Sequence, residues 1–156
     1  MIEIQIPGGE NLVIENLVLD YNGTIAKDGC LLEGIKEIIT ELSERINIHV
    51  ITADTFGTVE QALDNIPCTP ALLREAIQDQ GKLKYVNKLC ASKTVAIGNG
   101  RNDCLMLKAA ALGIAVIQEE GAWMGTIQAA DVVCNSIFAA LELLKFPLRL
   151  KATLRC

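Results

Sequence analysis

Short apolar segments alternate with helix-like patterns along most of the chain. Apolar runs of strand length cover residues 17–20, 46–51, 94–97, 113–117 and 130–133, and the first of them ends in a carboxylate. Runs of this kind, separated by segments with helical spacing, are typical of right-handed βαβ units. The strands of a parallel sheet that is buried on both faces are continuously apolar. The pattern therefore predicts an α/β fold with three layers, in which helices cover both faces of a doubly wound, mostly parallel, Rossmann-like sheet.

The segments between these runs carry helical spacing. Helices are predicted over 31–44, 55–64, 82–89, from the loop 98–103 through 111, near 122, and from 136 to a point before 147. Asp54 and Ser136 are the predicted N-caps of two of them.

The two ends of the chain and one internal segment follow other patterns. Ile2, Ile4 and Ile6 alternate with polar residues ahead of a Pro-Gly-Gly turn. This predicts a small antiparallel hairpin with residues 12–14 at one edge of the sheet. Residues 72–80 are interpreted as a helix or an irregular loop, and the last nine residues as a tail or a subunit contact.

Composition limits the classes of protein that remain. A chain of 156 residues with 51% hydrophobic residues can form one domain, here taken as residues 1–156. No apolar run reaches the roughly 18 to 20 residues of a membrane span, so a soluble protein is expected. A formal charge of −5 makes nucleic acid an improbable partner. Six cysteines without metal-binding spacing, and no secretion signal, indicate reduced thiols in the cytoplasm.

Candidate chemistry lies at the carboxyl ends of the predicted strands. Three successive predicted strands end in polar residues, which are Asp20, Thr52 and Asn99. Because open parallel sheets bind ligands beyond these strand ends, the three side chains are expected to converge. Lys82, if it opens a helix pointing into the same crevice, and Asp103 would join them.

This set of residues suits phosphoryl transfer. An aspartate can attack phosphorus and form an acyl phosphate, but bringing two anions together requires cations and fixed donors. Thr52 can donate to a phosphate oxygen, and Lys82 can balance charge on the nucleophile and on the phosphoryl group. Backbone N–H groups near Gly23 and Thr24 can add donors. A hard cation such as Mg²⁺ suits a site with few carboxylates, water and phosphate oxygens.

Four motifs in order resemble those of the haloacid-dehalogenase superfamily. The segment Asp20-Tyr21-Asn22-Gly23-Thr24 is similar to its D-x-x-G-T motif, Thr52 to its second motif, Lys82 to its third, and residues 98–103 to G-D-G-x-N-D. Residues 82–89 also resemble the K-x-K-x-V-x-x-L helix of P-type ATPases. The resemblance covers residues 17–140 and implies a fold of that superfamily.

The resemblance also implies the roles of individual residues. It implies a phosphatase or phosphotransferase in which Asp20 is the nucleophile and Thr52 and Lys82 are the other catalytic residues. Phosphate binding is implied for Gly23, Thr24, Thr52, Ala53, Lys82 and Asn102. An Mg²⁺ site is implied at Asp20, Asn22 through its carbonyl, Asn99 and Asp103.

Two positions depart from the family pattern. Asn22 stands where family phosphatases usually carry an acid–base aspartate, and an amide has no proton to exchange near neutral pH. Asn99 stands where the first aspartate of the fourth motif is usual. Two functions therefore remain open. One is a slow Mg²⁺-dependent enzyme that works through an aspartyl phosphate, and the other is a non-catalytic module that binds phosphate or a protein.

Neither gap in which the family places a cap domain is large enough to hold one. Residues 25–32 allow only a small flap, and residues 53–81 allow a helix and a loop. We therefore expect no cap domain and an open site for a phosphorylated substrate, which can be macromolecular, or a site closed by a second subunit of a homo-oligomer. His49 is interpreted as a packed side chain, Trp123 as packing or a cover of the crevice, and Arg101 as a possible contact to an anionic substrate.

Overall fold

The computed structural model describes residues 1–52, 58–73 and 76–155. The described residues form ten strands: β1 (Ile2–Ile4), β2 (Leu12–Ile14), β3 (Asn16–Asp20), β4 (Ala26–Lys27), β5 (Cys30–Leu31), β6 (Asn47–Thr52), β7 (Thr69–Leu72), β8 (Thr94–Gly98), β9 (Leu112–Val116) and β10 (Val132–Cys134). The same residues form seven α-helices: α1 (Ile35–Ser43), α2 (Thr58–Ala62), α3 (Gln78–Lys88), α4 (Cys104–Ala109), α5 (Met124–Ala129), α6 (Ile137–Lys145) and α7 (Pro147–Leu154). None of these helices is both long and apolar enough to cross a membrane.

Six strands form one parallel sheet in the order β10-β9-β8-β3-β6-β7. The chain runs outward from β3 through β6 to β7, and then returns to the other side of β3 with β8, β9 and β10. The strand order therefore reverses beside β3. In open α/β sheets, a crevice for ligands lies at this reversal, beyond the carboxyl ends of the strands.

Successive side chains of the central strand point to opposite faces of the sheet, and each face has its own apolar core. Leu17 and Leu19 of β3 pack in a large core with α1, α6 and α7, whereas Val18 packs in a smaller core with α3 and α4. The two cores confirm the predicted three-layer, doubly wound fold.

The predicted N-terminal hairpin and the predicted small flap are also present. Strands β1 and β2 pair in antiparallel fashion, but they form a separate two-stranded sheet rather than an edge of the large one. Ile2, Ile4 and Ile14 bury their side chains in the larger core, which ties this hairpin to the body of the protein. Strands β4 and β5 form the small flap expected within residues 25–32.

Several predicted boundaries were wrong. The helix expected from residue 31 begins at Ile35, because Gly34 has a left-handed φ of 88° and Leu31 pairs in the flap. The helix expected to open at Lys82 begins at Gln78, so Lys82 lies one turn inside it. Residues 69–72 form an edge strand, a position that tolerates Pro70. The final segment contains an additional helix with Pro147 in its first turn, where the missing N–H costs nothing. The predicted N-cap at Asp54 lies outside the described residues.

Candidate active site

Three polar residues lie together at the carboxyl edge of the sheet. Asp20 ends β3, Thr52 ends the neighbouring β6, and Asn99 follows β8 on the other side. The register pairs Asp20 with Ile51 and Leu19 with Ile97, so the three strands end at nearly the same height. The strand-end rule thus correctly predicts their convergence.

Lys82 reaches this edge from α3 and is enclosed by carboxylates. Its Nζ lies 2.5 Å from Asp20 Oδ1 and 2.5 Å from Asp103 Oδ1. The lysine is 1% exposed, Asp103 is fully buried and Asp20 is 8% exposed. A buried ammonium between two carboxylates is fully paired, but the cluster as a whole carries one more negative than positive charge.

The loop after β8 folds back to place Asp103. One oxygen of its carboxylate, Oδ2, accepts hydrogen bonds from the backbone N–H groups of Asn99 (3.0 Å) and Gly100 (2.8 Å). Gly98 makes this approach possible, since a Cβ atom there would lie 2.4 Å from the Asp103 Cγ. Both oxygens of Asp103 are therefore already engaged, one by the loop and the other by Lys82. Its predicted role as a metal ligand stays a prediction.

The turn after β3 packs directly against Asn99. Gly23 has a φ of 75°, and a Cβ atom there would lie 2.4 Å from Asn99 Nδ2, so only glycine fits. Thr24 Oγ1 is buried 3.3 Å from Asp20 Oδ2 and 3.4 Å from Asn99 Oδ1. Asn99 Nδ2 donates to the Gly121 carbonyl at 3.0 Å, and this bond leaves Oδ1 facing the Thr24 hydroxyl.

The pKa values of the cluster reflect its burial and its charge. Burial, followed by the negative charge of Asp103, raises the pKa of Asp20 to about 7, although Lys82 opposes the shift. Burial alone would lower the pKa of Lys82, but the two carboxylates outweigh burial and raise it. Lys82 is thus held as an ammonium, and the cluster lacks one positive charge whenever Asp20 is ionised.

A pocket of about 440 Å³ opens above these groups. Of the predicted site residues, it is lined by Asp20, Asn22, Thr52, Lys82, Asn99 and Asn102. Gly23, Thr24 and Asp103 lie behind this lining and touch its members. Ala53 lies outside the described residues.

Sequence reasoning missed four residues at this site. Gln78, Gly100 and Glu120 also line the pocket, and Gln78 accepts a hydrogen bond from Asn102 Nδ2 at 2.8 Å. Gln118 bonds to the turn after β3 from behind, through the carbonyls of Gly23 and Thr24. Gln118 lies two residues after the end of β9, so the strand-end rule, applied to one more strand, would have indicated this residue.

The site offers hard oxygen ligands for a divalent cation. Asp20 Oδ2 and Asn99 Oδ1 both face Thr24, and the missing positive charge makes a cation electrostatically favourable. Among the described residues, no group of three or more His, Cys, Asp or Glu side chains is disposed as a metal site. A cation here would therefore depend on few protein ligands, completed by water and phosphate oxygens, as Mg²⁺ prefers. The residues present fit such an ion.

The aspartate at the end of the central strand, the lysine from a later helix and the glycine-bearing loop of residues 98–103 lie together, as the resemblance to the haloacid-dehalogenase superfamily implies. The family model of the haloacid dehalogenase-like hydrolases matches residues 80–137, which include Lys82 and the loop of residues 98–103. This match covers less than half of the chain and supports a hydrolase of the haloacid-dehalogenase superfamily.

Two relatives from Methanocaldococcus jannaschii illustrate the similarity. An uncharacterized protein is 57% identical over 78 residues, which are 47% of this chain and 84% of the relative. A soluble P-type ATPase-like phosphatase is 20% identical over 146 residues, which are 92% of this chain and 54% of the relative.

A solved structure shows the same fold. The 3-deoxy-D-manno-octulosonate 8-phosphate phosphatase of Moraxella catarrhalis, in complex with magnesium, phosphate and the sugar, superposes with a TM-score of 0.71 at 14% identity. The match covers 89% of this chain and 92% of that one. Together, the family match and the curated relative support the phosphatase class, and the solved structure shows the fold.

Proposed function

We propose that this protein is a Mg²⁺-dependent phosphohydrolase or phosphotransferase that works through an aspartyl phosphate on Asp20, within a single domain spanning residues 1–156. The observation that carries the proposal is the Asp20–Lys82–Asp103 cluster at the strand-order reversal. A structural role alone does not require a buried lysine to meet a strand-end carboxylate at the floor of a pocket.

In the first step, Asp20 attacks the phosphorus of a phosphate monoester. A new bond forms between an Asp20 carboxylate oxygen and phosphorus, and the bond from phosphorus to the leaving oxygen breaks. The leaving group departs as an alcohol after taking a proton from solvent. Lys82 Nζ, 2.5 Å from Asp20 Oδ1, holds the carboxylate in place and offsets negative charge as the two anions meet.

In the second step, water attacks the phosphorus of the aspartyl phosphate. The bond from Asp20 to phosphorus breaks, inorganic phosphate leaves and the carboxylate is restored; an alcohol in place of water would give phosphotransfer. Asn22 lies exposed at the pocket, but its amide cannot take a proton from this water. Loss of general base help typically slows a step by about 10² to 10⁴. The phosphorylated protein should therefore persist.

A bound Mg²⁺ would offset the charge of the phosphoryl oxygens. Asp20, Asn99 through Oδ1 and the Asn22 carbonyl are the residues proposed to hold it. We infer that Asp103 holds Lys82 and the loop of residues 98–103 in place, since hydrogen bonds already engage both of its carboxylate oxygens. An amide at residue 99 lacks the charge of a carboxylate, so weak metal binding is expected.

The test is intact-mass detection of a phosphorylated protein after incubation with acetyl phosphate or ATP and Mg²⁺. A phosphate adduct is expected on the native chain and on the control Asp64→Asn, which changes an exposed aspartate. The adduct should be absent from Asp20→Asn and absent when EDTA replaces Mg²⁺. If no adduct forms and no phosphate is released from either donor or from simple esters, the proposal is wrong and the non-catalytic module is favoured.

A further inference from the structure

Residues 118–121 form a tight turn one residue after the end of β9. Gly121 N donates to the Gln118 carbonyl at 2.8 Å, and Gly121 has a φ of 73°. Glu119 and Glu120 are the two central residues of this turn, and both are exposed. We call residues 118–121 the acidic turn.

The acidic turn is bonded to the active site at both of its ends. Gln118 Nε2 donates to the carbonyls of Gly23 (2.9 Å) and Thr24 (2.8 Å) in the turn after the nucleophile. At the other end, the Gly121 carbonyl accepts the hydrogen bond from Asn99 Nδ2 at 3.0 Å. The backbone that carries Glu119 and Glu120 is therefore fixed relative to Asp20.

Of the two glutamates, Glu120 is the one that lines the pocket together with Asp20 and Lys82. Lys82 is the only cation among the described lining residues, and two carboxylates already hold it. The guanidinium of Arg101 lies outside this lining, 5.3 Å from the centroid of the Trp123 ring. The mouth of the pocket therefore carries the carboxylate of Glu120, and the described lining has no cation that is free of a carboxylate partner.

We propose that Glu120 is a specificity-determining residue, which selects phosphate monoesters with a neutral or cationic leaving group and disfavours those with a second anionic group. The inference rests on the proposed function of the same site and names its class of substrate. At the floor of the pocket, Lys82 and the backbone N–H groups near Gly23 and Thr24 are the proposed partners of the phosphoryl group itself. A further carboxylate or phosphate on the leaving group would meet Glu120 without a partner.

The expected size of the effect follows from Coulomb's law. A unit charge held about 5 to 8 Å from Glu120 in a largely solvated mouth changes binding by about three- to tenfold. The effect has opposite signs for cationic and anionic leaving groups, and it weakens as salt is added. This change of sign separates charge selection from a general loss of activity.

The test compares kcat/KM for O-phosphoethanolamine, glycerol phosphate and 3-phosphoglycerate at low, fixed ionic strength. The native protein should prefer them in that order. Glu120→Gln should lower the ratio of the first to the third ester at least threefold, and 0.5 M salt should lower it in the native protein. Glu119→Gln, a matched change of the exposed neighbour outside the pocket lining, should leave the ratio unchanged.

Two results would overturn the inference in distinguishable ways. If the native protein turns over these esters and Glu120→Gln keeps the native ratio, or changes it no more than Glu119→Gln does, then Glu120 does not select charge and the proposed function stands. If the native protein releases phosphate from none of them and forms no adduct on Asp20, the proposed function fails and the inference fails with it.

Discussion

Lys82 is a buried cation with both a structural and a chemical purpose at this site. It lies almost fully buried between Asp20 and Asp103 at 2.5 Å from each. An exposed ion pair adds little to stability, but a buried group that loses its counter-charge is costly. The same lysine therefore serves two purposes, because the fold needs it to neutralise the carboxylates and the reaction needs it beside the nucleophile.

Replacing Lys82 with methionine tests its structural purpose. We expect Lys82→Met to lower the free energy of unfolding by about 3 to 5 kcal/mol at pH 7 in EDTA, because two buried carboxylates lose their ammonium. The loss should shrink as the pH falls, since protonation of Asp20 removes one of the uncompensated charges. Urea unfolding measures both effects. Lys84→Met, an exposed change on the same helix, is the control, and an equal loss in both variants would contradict the prediction.

Asn22 is the residue that sets the expected lifetime of the phosphorylated protein. Asn22→Asp restores a group that can take a proton from the attacking water, and it leaves the size of the side chain almost unchanged. We expect the aspartyl phosphate to decay about 10² to 10⁴ times faster in this variant. Removal of the phosphate donor followed by timed intact-mass measurement gives the decay rate. An unchanged decay rate in an Asn22→Asp protein that still forms the adduct would show that the amide is not what preserves it.

At the scale of elements, Gln118 joins three parts of the fold that are distant in sequence. Its Nε2 donates to the two carbonyls after β3, and its Oε1 accepts from Ile137 N at the start of α6, at 2.8 Å. One side chain thus links the end of β9, the turn after the nucleophile and a helix N-terminus. The position of that turn depends on this side chain as well as on the turn's own backbone bonds.

Removing this link should affect stability and phosphorylation together. We expect Gln118→Leu to lower the free energy of unfolding by about 1 to 3 kcal/mol, since two carbonyls and one N–H lose their partners at once. The rate of adduct formation on Asp20 should also fall, because the turn that positions Thr24 is no longer tied back. Urea unfolding and timed mass measurements test both. Gln128→Leu changes an exposed glutamine on α5 and should alter neither quantity.

The elements show which physical signals the sequence carries. Strands β3, β6 and β8 are predictable because continuous apolar runs ending in polar residues belong to buried parallel strands. The start of α1 cannot be predicted in this way, because residues 31 and 32 fit the helical spacing even though they belong to the flap and to the segment that follows it. Edge strand β7 contains Pro70, and its first two residues are exposed, so it lacks the apolar run that would predict a strand.

The same limit applies to the site. Asp20, Thr52 and Asn99 are predictable as strand ends, and the family motifs add Lys82 and Asp103. Gln78 and Glu120 are not predictable in this way, because the pocket receives them from a helix start and a turn that carry no apolar signal of their own. Residues at the mouth of a pocket are placed by the packing of whole elements, and only the three-dimensional structure reveals that placement.

At the scale of the whole molecule, one histidine links the sheet to the helical layer on the α3 side. His49 of β6 is 9% exposed, and its Nδ1 lies 3.0 Å from the Tyr85 hydroxyl of α3. Its ring meets the Tyr85 ring edge-on, with 5.7 Å between centroids. Its other nitrogen, Nε2, is buried and has no hydrogen-bond partner among the described residues. A protonated His49 would therefore bury a charge with an unpaired N–H, so the fold favours the neutral ring.

This arrangement predicts how stability depends on pH. Burial lowers the pKa of His49 below its ordinary value of 6.5. The unfolded chain therefore binds a proton at a higher pH than the native protein does. The stabilisation from a neutral His49 should be complete above pH 6.5 and should be lost as the pH falls from 6.5 through the lower native pKa. Asp20, with its raised pKa, contributes in the opposite direction in the same range.

Comparison with His49→Gln isolates the histidine, because Asp20 is present in both proteins. The free energy of unfolding, measured in urea from pH 8 to pH 5 in EDTA, should fall more steeply below pH 6.5 in the native protein than in the variant. The difference between the two curves should be flat above pH 7. Parallel curves across the whole range would mean that the native protein protonates His49 as readily as the unfolded chain does, and that the β6–α3 contact tolerates the charge.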